Sequence, residues 1–430
     1  MNMNILYNRK LTFLVEPILI ILPISLLFSN LISEILILIL VSIFFVNIKK
    51  DELIQTLKNK VIFSVLILYF FLVINYLLNI NKDPDFYRSI FFIRFVFYII
   101  SINYFLNKDY VETKKIFSYW GIIIFLVCLD LQIQNILGKN IFGYESIKQG
   151  NLSRLGGLLD DELKIGYLIN SFFIVSLGSY FFYHKKSDKS FLLLVTLFIL
   201  LVLFSVYLTS ERANFLILLL FVFSFLIFSK YKLYFLSTII ILIPIILINI
   251  SYLKSDEKMK RMFFGNVELA KKNLSLDFKS NNNFLNKDNQ YFAHYSTALQ
   301  IAKDFPLTGV GLKNFRNYCN NEVYLKQVYP TFKGRNCSTH PHNLFFEIIS
   351  ELGFLGFIVF YSIFGYFFYL SLVNSFKYKN IFLFGNTIFL MSHFIPLLPR
   401  GSFFSNWNAM LFWTIFGISL YLLNKNNKHA

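Results

Sequence analysis

Two histidines, His340 and His342, lie in a polar segment that runs directly into an apolar stretch. Asn343 follows His342, and after Leu344 to Leu352 comes the motif Gly353-Phe354-Leu355-Gly356. An imidazole titrates near neutral pH, so it can take a proton from a hydroxyl group. The position of His342 predicts a general base at the mouth of a helix. The alternative is a solvated or capping histidine, and His340 can simply shape the turn with Pro341.

Arginines in apolar surroundings form a second group of candidates. Arg88 and Arg94 lie on one predicted span, and Arg400 lies in the last outer turn. Charged residues inside a span cost free energy and often serve function, and the guanidinium fork matches phosphate oxygens. We expect these three side chains to line one cavity that binds an anionic substrate. Alternatively, Arg94 or Arg400 snorkels to the surface or pairs with a carboxylate such as Glu16.

The composition requires a lipid environment. Of the 430 residues, 56% are hydrophobic and only 15% are charged, which leaves too little polar surface for a soluble globule. The formal net charge of +17 could suggest nucleic acid. However, the lysines and arginines form short clusters between apolar runs, as in the cytoplasmic loops of membrane proteins, so nucleic-acid binding is not expected.

The apolar runs predict an all-α polytopic membrane protein with about 12 transmembrane helices, since a span needs roughly 20 apolar residues. The runs begin near Leu11, Leu31, Val61, Phe86, Ile116, Gly166, Phe191, Ala213, Leu233, Gly353, Ile381 and Phe403. Alternate connections are basic, and by the positive-inside rule they are cytoplasmic together with both termini. These connections contain Lys49, Lys50, Lys58, Lys60, Lys108, Lys114, Lys115, Lys185, Lys186, Lys189, Lys230, Lys232, Lys377 and Lys379.

Two connections on the opposite, periplasmic side are long: Gly138 to Lys164, and Lys254 to about Asn343. The chain therefore divides into transmembrane helices 1–9 in residues 1–253, a partly helical loop in residues 254–343 and helices 10–12 in residues 344–430. Within the larger loop, the stretch from Tyr291 to Asp304 is expected to be helical. We interpret the loop as a cap over the membrane domain, because its apolar content is too small for a separate core.

Cys319 and Cys337 both lie in the larger loop, where an oxidising compartment favours a disulfide that closes about eighteen residues. A zinc site built from these two cysteines with His340 and His342 is the alternative, although the spacing fits no standard zinc pattern.

The His-Asn pair followed by Gly-x-x-Gly resembles the signature of the O-antigen ligase and O-antigen polymerase superfamily. Pro306-Leu307-Thr308-Gly309-Val310-Gly311 is similar to the stretch that precedes the histidine in that family. Thr209-Ser210-Glu211-Arg212 is similar to its arginine motif at the outer end of a middle helix. The resemblance to the catalytic half covers roughly residues 209–423, and the number of spans also agrees.

The resemblance implies a metal-independent glycosyltransferase of the bacterial inner membrane, with a periplasmic active site and no cofactor. Its donor would be an undecaprenyl-diphosphate-linked glycan, and its acceptor either lipid A core, for a ligase, or a second lipid-linked glycan, for a polymerase. His342 would be the base, and Arg212 would stabilise the departing diphosphate. Further substrate-binding candidates are Arg88, Arg94, Arg316, Arg335, Arg400, His340 and Asn343.

The chain departs from the family pattern at one point. The family commonly carries another arginine just before the helix that leads to the Pro-Leu-x-Gly stretch, whereas this chain has Tyr291-Phe292-Ala293-His294-Tyr295. Either Arg316 or Arg335 then supplies the charge, or the donor is bound differently.

Two other classes of function remain open. A metal-dependent glycosyltransferase could hold a divalent cation at Asp83-Pro84-Asp85 or at Asp160-Asp161-Glu162, although such acidic groups are usually solvated loops. A transporter or flippase often has twelve helices and could use intramembrane arginines for an anionic substrate. Against a transporter, the long histidine-bearing loop has no evident use, and the two halves show no repeat.

Overall fold

The computed structural model describes residues 11–108, 110–149, 152–184, 189–228, 262, 290–324, 337–396 and 398–428. Within these residues the chain is mostly helical. The α-helices are α1 (Val15–Phe28), α2 (Asn30–Asn47), α3 (Lys50–Leu57), α4 (Lys60–Leu78), α5 (Phe86–Ile90), α6 (Ile93–Asn107), α7 (Thr113–Leu137), α8 (Ile165–Tyr183), α9 (Lys189–Leu208), α10 (Arg212–Phe228), α11 (Gln290–Asp304), α12 (Phe315–Tyr318), α13 (Leu344–Glu351), α14 (Gly353–Lys377), α15 (Ile381–Met391) and α16 (Asn406–Lys428).

Several of these helices can span a bilayer. Among the described residues, seven helical segments are long and apolar enough: α2, α4, α5 with α6, α7, α8, α9 and α14. Helices α1, α10 and α15 belong to shorter apolar segments. The span predicted near Leu233 lies outside the described residues, so the number twelve stays a prediction.

Helices α8 and α16 form the centre of the bundle. Every residue from 409 to 423 in α16 is buried, and 83% of the α8 span is buried. In contrast, only 33% of each of the spans α2, α4 and α14 is buried, and their remaining surface carries exposed Phe, Ile and Leu side chains. An apolar outer face on a helical bundle is the surface that contacts lipid.

Those predicted basic connections that the structure describes gather at one end of the bundle, which we call the basic end. Lys108 Nζ lies 2.6 Å from Glu52 Oε1 and joins two of these connections. Lys115 Nζ lies 2.6 Å from Glu16 Oε1, near the start of α1, while Asn59 contacts Asn424 in the last turns of α16. The first and last described helices therefore have their outer ends at the same end of the bundle.

The connection between α7 and α8 adds one short element of strand to the mostly helical fold. It contains a short antiparallel hairpin, β1 (Ile147–Gln149) with β2 (Leu152–Arg154), in which Ile147 pairs with Arg154. Asn140 accepts hydrogen bonds from the backbone N–H groups of Phe142 and Tyr144 and so closes the turn that leads into the hairpin. A local side-chain bond of this kind offers the backbone an alternative to helix.

The described part of the large loop rests on the bundle as a cap. Helix α11 matches the predicted helical stretch and packs against α13. A small apolar cluster lies between them and includes Tyr295, Ile301, Phe315 and, from α13, Phe346. The rings of Tyr295 and Phe346 stack with centroids 4.3 Å apart. The cap therefore shares its apolar contacts with the membrane domain.

Candidate functional site

The two glycine motifs pack directly against each other at the end opposite the basic end, which we call the site end. Gly311 N donates to Glu351 O at 2.8 Å, and Phe354 N donates to Pro306 O at 2.8 Å. Gly353 adopts φ 69°, and a Cβ added there would lie 2.4 Å from Leu307 O. Only glycine adopts this backbone without strain at such a distance. The break between α13 and α14 therefore docks on the Pro-Leu-x-Gly segment.

A buried charged network ties the same segment to the start of α16. Lys313 Nζ lies 3.8 Å from Glu347 Oε1, and both side chains are almost fully buried. Ser402 Oγ contacts both groups. Lys313 N donates to Glu351 Oε2 at 2.7 Å, while burial and the nearby Glu347 raise the pKa of Glu351. Buried charges need partners of this kind, because an unpaired buried charge is strongly destabilising.

Asn343 is the N-cap of α13, which explains why an amide follows the histidine. Its Oδ1 accepts from Phe345 N at 3.0 Å, which caps the helix. Its Nδ2 donates to Ile395 O at 3.3 Å and to Leu398 O at 3.1 Å. An amide supplies an acceptor and donors on one short side chain, so Asn343 fixes the loop before Arg400 to the start of α13.

Three imidazoles surround this turn. The ring of His342 lies 4.2 Å from that of His340 and 5.3 Å from that of His294, measured between centroids. His342 adopts φ 58°, and its Nε2 is 3.2 Å from Ser338 Oγ. Burial and the two neighbouring imidazoles lower the pKa of His342 to about 3, and burial with the charge of Lys313 lowers that of His340 to about 4. The imidazole of His342 is therefore neutral and able to accept a proton.

Arg400 is held beside this histidine pair. Its backbone N donates to His342 O at 2.7 Å, and its carbonyl lies 3.2 Å from His340 Nε2. Its Nη2 donates to Ser392 Oγ at 2.7 Å, and its guanidinium lies 5.4 Å from the centre of the Tyr167 ring. Burial lowers the pKa of Arg400 to about 10, so the side chain stays protonated at neutral pH.

The arginine motif lies at the same end. Glu211 accepts from Gly166 N at 2.7 Å and from the Asn214 side chain, and burial raises its pKa to about 7. The Glu211 carboxylate also interacts electrostatically with Arg400. Arg212 is the next residue and begins α10. The structure thus brings the start of α10 into the neighbourhood of Arg400 and His342.

The remaining arginine candidates differ in their surroundings. Arg94 is paired with Glu34 through Nε at 3.1 Å and Nη2 at 3.3 Å, and Nη2 also donates to Asn406. The partner suggested from sequence, Glu16, is wrong, because Glu16 pairs with Lys115 at the basic end. Arg335 lies outside the described residues.

Arg88 and Arg316 lie together. Arg88 is 3.9 Å from Asp85 and interacts electrostatically with Arg316, which in turn interacts with His340. Arg316 is exposed and forms no salt bridge with any residue that the structure describes. These two arginines are therefore more available to a ligand than Arg94.

Cys319 and Cys337 are joined by a disulfide. Cys319 Sγ also lies 3.5 Å from Ser338 O, next to the serine that contacts His342. Because both sulfurs are bonded to each other, neither is a thiolate that could bind zinc. In the acidic motif Asp83-Pro84-Asp85, considered above as a cation site, Asp85 has a structural role. Its Oδ1 accepts a hydrogen bond from Arg88 N at 2.9 Å and caps α5.

Sequence reasoning missed His294 and the network of Lys313, Glu347 and Glu351. In the sequence, His294 stands only where the family commonly has an arginine, and its place beside His342 depends on how α11 packs against α13. The two glutamates occur at the spacing i, i+4, which puts them on one face of α13. Two glutamates on one face of an apolar helix indicate a buried pair of carboxyl groups, and this pattern is visible in the sequence.

An apolar helical bundle with a polar, positively charged site at one end defines a multi-pass membrane protein. Residues 172–361 match the family model described as O-antigen ligase, and this match supports a relation of the chain to the O-antigen ligase superfamily. The matched segment contains Arg212, the Pro-Leu-x-Gly stretch and His342. No curated protein matches the chain. The family is that of membrane glycosyltransferase-type enzymes, ligases or polymerases.

Proposed function

We propose that the protein transfers a glycan from undecaprenyl diphosphate to lipid A core at the outer face of the bacterial inner membrane. The observation that supports this function is the meeting of a neutral imidazole and fixed cations at one end of the bundle. Arg400 N donates to His342 O at 2.7 Å, and the Arg400 side chain interacts with Glu211, the neighbour of Arg212. Acid–base chemistry and phosphate binding are thereby combined in one site.

His342 acts as the general base in this reaction. The acceptor hydroxyl gives its proton to the imidazole while its oxygen forms a bond to the anomeric carbon of the donor sugar. The bond from that carbon to the phosphate oxygen breaks, and the diphosphate leaves with the bonding electrons. Attack from the face opposite the leaving group inverts the configuration at the anomeric carbon.

Arg212 and Arg400 bind the diphosphate and stabilise the charge that develops as it leaves. Planar guanidinium groups match phosphate oxygens in two-point geometry, so transfer proceeds without a metal ion. Arg400 is fixed in advance by Ser392 and by the ring of Tyr167. A group that is already oriented needs little reorganisation in the transition state.

A polymerase that joins lipid-linked repeat units is the second candidate, because the same base and arginines can serve an acceptor that is itself lipid-linked. Glycan profiling of a deletion strain separates the two functions. Accumulation of long lipid-linked polymer indicates a ligase, and accumulation of single repeats indicates a polymerase.

The mechanism predicts different failures for two variants. His342→Ala removes the base and is expected to lower the single-turnover rate by about 10² to 10⁴ while donor still binds. Arg212→Lys keeps a charge but loses the planar fork, so both donor affinity and rate should fall. Donor affinity and the single-turnover rate of transfer are both measured for the two variants in nanodiscs. His184→Ala, at the basic end, is the control. Near-normal transfer by His342→Ala would show that the mechanism is wrong.

A further inference from the structure

Two arginines that the donor site does not use are brought together from distant parts of the chain. Asp85 N donates to Leu312 O at 3.1 Å and joins the connection after α4 to the segment before α12. Arg88 follows Asp85 in α5, and Arg316 lies in α12 just beyond Leu312. The two guanidinium groups lie close enough to interact electrostatically.

The N–H groups of both guanidinium groups can donate hydrogen bonds to a ligand. The structure shows no hydrogen bond from either group to a residue that it describes. The contact of Arg88 with Asp85 is long, 3.9 Å, and both side chains are partly exposed, at 29% and 35%. An ion pair of this kind contributes little and is easily replaced by a better anion. A phosphate group is a better anion for this purpose, because two of its oxygens accept two parallel N–H hydrogen bonds from one guanidinium group.

An exposed aromatic surface adjoins this pair. Phe86, Tyr87 and Phe91 are 45%, 72% and 50% exposed, and the rings of Tyr87 and Phe91 stack with centroids 5.9 Å apart. Aromatic side chains at the end of a span are typical of the headgroup region of a bilayer. An amphipathic molecule with an anionic headgroup complements both the arginines and the aromatic surface.

We propose that Arg88 and Arg316 bind the phosphate of a phosphorylated lipid acceptor and hold its glycan beside His342. This inference rests on the proposed transferase function and adds the two side chains that recognise the phosphate of its acceptor. Cys337 Sγ lies 3.9 Å from Arg316 O, and the next residue, Ser338, has its Oγ 3.2 Å from His342 Nε2, so an acceptor bound at Arg316 lies close to the histidine pair. Donor and acceptor are then both anionic lipids and occupy separate groups of cations, so they do not compete during the reaction.

The test compares one glycolipid acceptor carrying phosphomonoesters with the same acceptor after phosphatase treatment, in nanodiscs. Arg88→Gln and Arg316→Gln should each raise the acceptor KM about tenfold for the phosphorylated form, because a charge-assisted bond is lost. Neither variant should change the donor KM, and neither should change the KM for the treated acceptor. The control is Lys139→Gln, which removes an exposed charge at the same end of the bundle.

Each other outcome overturns the acceptor site. A raised donor KM would assign the arginines to the donor diphosphate, and unchanged KM values would show that they bind no substrate. Equal use of both acceptors by the unaltered protein would show that the phosphate is not recognised. Equilibrium binding of both acceptors to the His342→Ala variant tests the site without turnover. A failure of the acceptor site is thereby distinguished from a failure of the proposed mechanism.

Discussion

The imidazole of His342 is uncharged in the free protein, because burial and the rings of His340 and His294 lower its pKa to about 3. A neutral imidazole can accept a proton, but the imidazolium that forms is disfavoured in the same surroundings. In the proposed mechanism, a bound diphosphate would bring negative charge close to the ring and would raise its pKa. Donor binding should therefore prepare the base for its task.

The pH dependence of the two kinetic parameters tests this idea. Because kcat/KM reports groups of the free enzyme, it should lack a histidine limb near pH 6.5, and in the Glu211→Gln variant it should stay level down to about pH 4. The acid limb of kcat reports the donor complex and should lie at higher pH. Glu211, with a pKa of about 7, also titrates in this range. A limb near pH 6.5 in kcat/KM that persists in Glu211→Gln would contradict the prediction.

The junction of α13 and α14 depends on the absence of a side chain at Gly353. Gly353→Ala would place a Cβ 2.4 Å from Leu307 O at φ 69°, and the strain should destabilise the protein by about 1–3 kcal/mol. The variant should also lose transfer, because the same junction positions His342. Gly365→Ala is the matched control, since it lies within α14 with no atom within 4 Å of an added Cβ. Thermal unfolding in detergent should separate the two variants.

The disulfide holds α12 against the turn that precedes His342. It closes a separation of 18 residues, and in the chain-entropy estimate such a loop contributes about 3 kcal/mol. Thiol labelling of the denatured protein should modify only Cys128 before reduction and all three cysteines after it. Labelling of Cys319 or Cys337 without reductant would show that the bond is absent from the isolated protein.

The helices could be read from the sequence where apolar runs have the length of a span, and α11 was also found from its pattern. The hairpin of β1 and β2 was missed, because strands of three residues carry no periodicity that a pattern can show. At the site, the two glycine motifs and His342 were evident. The place of His294 and the pairing of Arg94 with Glu34 were not, because both depend on contacts between elements far apart in the chain.

The two ends of the bundle predict how the protein is oriented in the membrane. The described basic connections meet at the basic end, and His294, His340 and His342 lie at the other end, so the two groups should face opposite sides of the membrane. Lys139→Cys, at an exposed position of the site end, should react with a membrane-impermeant thiol reagent in intact cells. Lys58→Cys should react only after the cells are opened. The reverse pattern would place the active site in the cytoplasm.

The central position of α16 has a consequence for biosynthesis. Trp407 Nε1 donates to Leu26 O in α1 at 3.0 Å, and Thr414 meets Tyr98 of α6 at 2.7 Å. The helix around which the others assemble is thus the last of the described helices to leave the ribosome. Until α16 arrives, the centre of the bundle holds α8 alone, and the surfaces of α1 and α6 that pack on α16 lack their partner. The packing of the centre is therefore complete only after residue 423 has been translated, and a nascent chain stalled before α16 leaves α1 and α6 without these contacts.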